Sequence, residues 1–302
     1  MELVLGSANL GLSYGRALYR EIPDKEFALS ILERAVSRGL VAIDTAPAYG
    51  CSEKRIGEFL SHGSAATDAI RVSTKSDPTL HFASGNLTDA TLSSVSQSLH
   101  RLGRSTISQV LLHRWEQYNV ADGTVWNALK SLREKGVIER IGVSVQSPEE
   151  LRMALECTDI ETIQLACNIL DWRYEGAGLD VLLGDASARI EVRSVFLQGL
   201  LGLSPNVKFP SVSEPYSEVK IRNFLVEAAD TFTGGDVIAL NLRYALSLLW
   251  ADALVIGSDS PSEVDSLFDI VDNGALPMEA IQELQARRPR VPESFLDPAK
   301  WH

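Results

Sequence analysis

The chain has 302 residues, 45% of them hydrophobic and 23% charged, with a formal net charge of −12. That mixture supplies a full apolar core and excludes wholesale disorder. The acidic balance, without any cluster of Lys and Arg, excludes nucleic acid as a main partner, because phosphate binding needs concentrated cations.

Taken in chain order, Met1-Glu2-Leu3-Val4-Leu5-Gly6 lacks the basic and long apolar regions of an export signal, and no later run is apolar enough to span a bilayer. Neither export nor a membrane is expected, and a cytoplasmic location fits best. The first strand is expected at 3–7, followed by a helix with Phe27, Ile31 and Ala35 on one face and Gly39 at its end. Strands follow at 41–45 and 70–74, then a stripe of Leu92, Val95, Leu99 and Leu102 that stops at Gly103. A strand at 109–112 precedes a helix marked by Val125, Leu129 and Leu132 before Gly136. After a strand at 141–145, Ser147-Pro148-Glu149-Glu150 places Ser at a helix cap, Pro in the first turn and Glu three residues on. Strands at 162–166, 190–194 and 254–257 complete the series, and Ser260-Pro261-Ser262-Glu263 repeats the same helix start. Residues 202–236 and 273–302 exceed the plain repeat, the former expected as a long loop with an extra helix.

Eight short, mostly unalternating strands separated by helices describe a parallel sheet covered on both faces. Their number favours a closed (β/α)8 TIM barrel, one domain over residues 1–302, with added helical and loop segments. No Gly-x-Gly-x-x-Gly fingerprint follows the first strand, which counts against a doubly wound dinucleotide fold.

A barrel of this kind builds its active site at the C-terminal ends of the strands. Strand two ends in Asp44, strand three in Lys75 and strand four in His113, while Tyr49 lies in the loop just beyond Asp44. Each residue alone reads as a loop or packing residue, whereas four at successive strand ends form a chemical unit. A phenol is a weak proton donor at neutral pH, and a neighbouring ammonium stabilises the phenolate. Lys75 supplies that cation, Asp44 neutralises it in the core, and His113 orients a carbonyl oxygen toward Tyr49 for general acid catalysis. The chemistry implied is reduction of a C=O group. Cys51 lies beside the site but has no partner His in sequence and reads as packing. Cys51, Cys157 and Cys167 are too few and too scattered for a disulfide framework, and no Cys-x-x-Cys pair suggests zinc.

The segment Asp44-Thr45-Ala46-Pro47-Ala48-Tyr49-Gly50 with Ser52-Glu53, the Ser73-Thr74-Lys75 strand end, and Leu111-Leu112-His113 resemble the motifs of the aldo-keto reductases. The resemblance continues through Gly136-Val137-Ile138-Glu139-Arg140-Ile141-Gly142-Val143-Ser144, Gln164 and Leu254-Val255-Ile256-Gly257-Ser258, nearly the whole chain. It implies a (β/α)8 barrel, NADP or NAD as cofactor, no metal, a small-molecule carbonyl substrate, and Asp44, Tyr49, Lys75 and His113 as the catalytic tetrad. Ser144 and Gln164 match the family's carboxamide contacts, but Val145 replaces an Asn. Arg193 falls where the family often stacks an aromatic residue on the nicotinamide, and a guanidinium also stacks on rings; a structural ion pair is the competing role. Ser194 and the Leu197-Gln198-Gly199 segment resemble the backbone that embraces the pyrophosphate.

NADP-selective members carry a Lys and an Arg around the start of the last barrel helix. Here Gly257 and Glu263 stand in their places beside Ser258, so good acceptance of NAD is expected. Glu263 would oppose a 2′-phosphate and accept from a free ribose hydroxyl, unless it only completes the cap with Ser260. The competing classes are a non-catalytic nicotinamide-binding sensor or accessory barrel, and a Schiff-base aldolase with Lys75 as nucleophile. Trp115, Tyr118 and Trp172 line the substrate mouth or pack loops. Asn168 and Asp171 receive no role. The substrate itself, sugar-like by analogy within a bacterial branch, and the oligomeric state stay open.

Overall fold

The computed structural model describes all residues except 16–20, 79–85, 176–177, 205 and 302. Thus Pro205, within the expected insertion, and His302, at the end of the expected tail, lie outside the described residues. Eight parallel strands close into a barrel in sequence order: β1 (Glu2–Gly6), β2 (Ala42–Asp44), β3 (Arg71–Ser76), β4 (Ile107–Leu112), β5 (Ile138–Val145), β6 (Thr162–Ala166), β7 (Arg189–Arg193) and β8 (Ala253–Gly257). The seam is real, with Leu3 opposite Leu254 and Gly6 opposite Gly257. Every expected strand is present.

The covering helices are α1 (Lys25–Ser37), α2 (Ser52–Ser61), α3 (Ala65–Asp68), α4 (Leu87–Leu102), α5 (Thr124–Glu134), α6 (Pro148–Leu155), α7 (Leu179–Gly184), α8 (Glu218–Phe232), α9 (Val237–Leu246), α10 (Pro261–Asp272), α11 (Met278–Arg287) and α12 (Glu293–Leu296). Asp24 caps α1 through a 2.7 Å acceptance from Phe27 N. Gly103 ends α4 in the left-handed region at φ 63°, a conformation that carries no Cβ penalty only in glycine. The α1 stripe differs from the sequence expectation: Ala28, Ile31, Leu32 and Ala35 are buried, and Phe27 is 43% exposed. The buried face centres on Ala28, Leu32 and Ala35, which are four and three residues apart, and Phe27, five before Leu32, falls on its rim.

Ser147 and Ser260 cap α6 and α10 as expected, accepting from Glu150 N at 3.2 Å and Glu263 N at 3.1 Å. The two glutamates reach back one residue further than a standard capping box. Glu150 Oε2 accepts from Gln146 N and Glu263 Oε2 from Asp259 N, each at 2.6 Å.

The strands alternate more than the sequence suggested. Their outward residues join the large apolar cluster under the helices, while Ser73, Gln109, Thr162, Gln164 and Glu191 form a polar network among themselves. Gln109 Nε2 donates to Ser73 Oγ at 3.0 Å and to Glu191 at 3.2 Å, and Thr162 donates to Gln109 at 2.8 Å. Val4, Ala42, Ala253 and Val255 make a small separate apolar cluster where β1, β2 and β8 meet.

The described residues of 202–236 include α8, and those of 273–302 include α11 and α12. Together with α9 they share one apolar cluster, in which Ile221, Leu225, Ala229, Leu240, Leu284 and Phe295 are buried. The two additions to the repeat therefore stabilise each other; burial of each large aliphatic side chain contributes roughly 1.5–3 kcal/mol.

Candidate active site

The loop that carries Tyr49 is seated by buried hydroxyls and two glycines. Ser7 donates to Asp44 O from both N (2.9 Å) and Oγ (2.8 Å), Ser52 Oγ donates to Ser7 Oγ at 2.7 Å, and Thr45 Oγ1 meets Ser52 Oγ at 3.1 Å. A Cβ on Gly11 would stand 2.0 Å from Tyr49 O, and one on Gly50, at φ 59°, 2.2 Å from Gly11 O. Backbone thus presses on backbone here, and no side chain fits.

Beneath Tyr49, Lys75 is 2% exposed and Asp44 3%. Lys75 Nζ donates to Asp44 Oδ1 at 2.7 Å, to Oδ2 at 2.9 Å and to Thr45 O at 3.1 Å. Asp44 Oδ2 also accepts from Gln164 Nε2 at 3.0 Å. Burial opposes the ammonium, but the Asp44 charge, Tyr49 and the hydrogen bonds to both outweigh it and hold the Lys75 pKa above its ordinary value. Lys75 stays protonated, the wrong state for a Schiff-base nucleophile. Its Nζ lies 5.0 Å from the centroid of the Tyr49 ring. On the other side of β3, Thr74 Oγ1 donates to the buried Glu53 at 2.6 Å, and Arg101 Nε donates to the other Glu53 oxygen at 2.6 Å, which fixes α2 against the strand.

His113 stands edge-on to Tyr49, with ring centroids 6.3 Å apart at 87°. Burial first, then the Lys75 charge, pushes its pKa down to about 4. At neutral pH the imidazole is therefore uncharged, able to donate one N–H to an oxygen without adding a cation.

All four residues line one cavity of about 330 Å³ at the C-terminal mouth of the barrel. Of the expected cofactor residues, Ser144, Arg193, Ser194, Gln198, Gly199, Gly257 and Glu263 share its wall. Two do not: Gln164 is fully buried behind Asp44, and Ser258 is buried with its Oγ donating to Ser260 O at 3.0 Å. Gln164 Nε2 bridges Asp44 and Glu191, and its Oε1 has no hydrogen-bond partner among the described residues. Positive φ at Ser194 (63°), Leu197 (46°), Gln198 (54°) and Gly199 (85°) coils the chain after β7 along the wall. Such turns present backbone N–H groups to anions.

Arg193 forms no ion pair among the described residues. It contacts Ser144 Oγ at 3.4 Å, Ser194 Oγ at 3.3 Å and Val145 O at 3.2 Å. Glu263 lines the cavity while its Oε2 accepts from Asp259 N, so its capping contact does not take it off the wall.

Asn9, Tyr14 and Gln146 also line the cavity and were missed from sequence. Asn9 Nδ2 donates to Ser258 O and, at 3.0 Å, to Asp259 Oδ1. Gln146 directly follows strand five, where the strand-end rule applied to strands two to four would have found it, whereas Asn9 lies three residues beyond strand one in a short helical turn. Trp115 and Tyr118 are absent from the wall: their rings stack at 5.1 Å and Tyr118 Oη donates to Asp159 at 2.9 Å. Trp172 packs under Arg290 and donates to Val291 O. Asn168 Oδ1 caps Leu170 N, and Asp171 pairs with buried Arg173 at 2.7 Å. Cys51 Sγ meets only Gly11 O, at 3.9 Å.

A closed (β/α)8 barrel with its titratable groups gathered at the strand ends is the architecture of a barrel enzyme. The chain belongs to the aldo/keto reductase family, whose model matches residues 2–288, and is an NAD(P)H-dependent oxidoreductase. It is 28% identical to a D-threo-aldose 1-dehydrogenase of a Pseudomonas species, over 86% of this chain and 88% of that protein. It is 26% identical to an aldo-keto reductase of Bacillus subtilis, over 82% and 79%. Among solved structures it resembles the holo form of an aldo-keto reductase from Bacillus halodurans, with TM-score 0.78, 23% identity and coverage of 98% and 95%. The glycerol dehydrogenase of Gluconobacter oxydans has the same fold, with TM-score 0.75, 23% identity and coverage of 98% and 94%. No helix among the described residues is long and apolar enough to cross a membrane.

Proposed function

We propose that this enzyme interconverts a polyhydroxylated, sugar-like aldehyde or ketone and its alcohol, with Tyr49 as the proton donor. The observation that carries the reading is the buried, ion-paired Lys75 under the Tyr49 ring, beside an uncharged His113, in one cavity. A nicotinamide dinucleotide would supply the hydride. His113 donates to the carbonyl oxygen and orients it, and Tyr49 passes its proton to that oxygen. Lys75 stabilises the negative charge that develops on the phenol, and Asp44 keeps the ammonium in place. Ser144 and Arg193 are placed for the nicotinamide end, the 194–199 segment for the pyrophosphate, and Gly257 and Glu263 for the ribose, with NAD well accepted. The names of the aldose and glycerol dehydrogenases support hydroxylated substrates, as does a wall that mixes Asn9, Gln146 and Asp259 with apolar groups.

The test is Tyr49→Phe. Turnover on an aldose or polyol substrate should fall about 100-fold or more, the scale of lost general acid catalysis, with nucleotide affinity unchanged. Near wild-type turnover in the variant would exclude Tyr49 as the donor, whereas nucleotide binding without turnover in the wild type would leave the sensor or accessory reading in its place.

A further inference from the structure

Arg193 is the one side chain of the tetrad's surroundings whose charge is not compensated by a carboxylate among the described residues. Its three contacts, Ser144 Oγ, Ser194 Oγ and Val145 O, are all neutral. By contrast, Lys75 is paired with Asp44 at 2.7 Å and Arg173 with Asp171 at 2.7 Å. The remaining carboxylates of the wall, Asp259 and Glu263, stand beyond β8, where Asn9 and the start of α10 hold them, and neither pairs with Arg193. A guanidinium remains charged at every working pH. Its field reaches across the cavity: together with burial and Lys75 it disfavours protonation of His113, and it also acts on Tyr14.

Geometry then fixes what the charge meets. A carbonyl oxygen held between Tyr49 and His113 must turn its carbon to a hydride donor in the same cavity, and Arg193 forms part of that wall. The oxidised nicotinamide ring is a cation and the reduced ring is neutral. A fixed cation in the wall of the same cavity, partly shielded from water, would repel the first and not the second. The Lys75–Asp44 pair is neutral as a unit and does not cancel it.

We propose that Arg193 sets the redox-state selectivity of cofactor binding, so that the reduced dinucleotide is held more tightly than the oxidised one. This rests on the reading that the cavity takes a nicotinamide ring. The preference is a property of charge, not of the shape of the side chain, and it is separate from any choice between NAD and NADP.

The experiment is equilibrium titration of the wild-type protein, Arg193→Gln and Arg193→Lys with the reduced and oxidised forms of each dinucleotide, followed by calorimetry without carbonyl substrate. The wild type should show a ratio of oxidised to reduced Kd of about 10 or more. Arg193→Gln should bring that ratio down about tenfold, and Arg193→Lys, which keeps the charge and guards against a folding defect in the first variant, should retain most of it. An unchanged ratio in Arg193→Gln overturns the proposal, as does a loss in Arg193→Lys equal to that in Arg193→Gln. If the wild type binds neither form, the nicotinamide reading itself fails, a result distinct from equal binding of both.

Discussion

The two halves of the barrel mouth are built on different principles. On the β2 to β4 side, the working groups are side chains at strand ends, buried and charge-balanced: Asp44 against Lys75, with Glu53 and Arg101 locked behind them. On the β5 to β8 side, the wall is made by backbone turns at positive φ, a capped helix start and a guanidinium that has no carboxylate partner among the described residues. The first half concentrates opposite charges so that one proton can move at a defined atom. The second places backbone turns and, among the described residues, the Arg193 guanidinium along the cavity wall, an arrangement suited to an anionic ligand. Between them runs the bridge from Asp44 through Gln164 to Glu191, which ties the tetrad to β6 and β7.

The sharpest way to break this contrast is to unbalance the compensated half. Lys75→Met leaves Asp44 buried without its cation, a change that costs about 3–5 kcal/mol when one member of a buried pair is removed. Denaturant unfolding should register a loss of that size together with loss of turnover. A stable, active variant would show that the pair is not the foundation of the site.

On the other half, Glu263→Arg should raise the ratio of kcat/KM for NADP over NAD by about tenfold, because a cation replaces a carboxylate at the cavity wall. Glu263→Gln serves as the control: it keeps an acceptor for Asp259 N while removing the charge, and should give a smaller shift in the same direction. A wild-type preference for NADP that neither substitution moves would reduce Glu263 to its capping role.

A further prediction concerns His113. Its folded pKa, about 4, lies below the ordinary 6.5, so the unfolded chain binds more protons in that interval. The stability contributed by the uncharged imidazole is complete above about pH 6.5 and is lost as the pH falls toward 4. His113→Gln should therefore flatten the acid limb of the stability curve across that window. An acid limb with unchanged slope would mean that the imidazole is not sequestered.

Much of this was legible from sequence for a physical reason. Strand order, the barrel class and the convergence of the four candidate catalytic side chains follow from local patterns: short apolar runs, a repeating strand–helix alternation, and titratable residues at the ends of consecutive runs. Parallel strands in sequential order all finish on one face, so Asp44, Lys75 and His113 converge without any long-range information, and the fixed offset of Tyr49 brings it along. The caps at Ser147 and Ser260 are equally local.

Tertiary structure decided the rest. Gly11 and Gly50 meet only because β1 and β2 are neighbours, and their contact seats Tyr49. Gln164 lies behind Asp44 instead of on the wall, since the barrel closes across 120 residues of sequence between them. Segments 202–236 and 273–302 share a core that neither announces alone. Whether Arg193 finds a carboxylate depends on what the closed barrel brings near the end of β7, and among the described residues it meets the Ser144 and Ser194 hydroxyls and the Val145 backbone carbonyl. Local chemistry specifies which groups are present, whereas compensation of charge is a property of neighbours in space, and the closure of the barrel sets those neighbours.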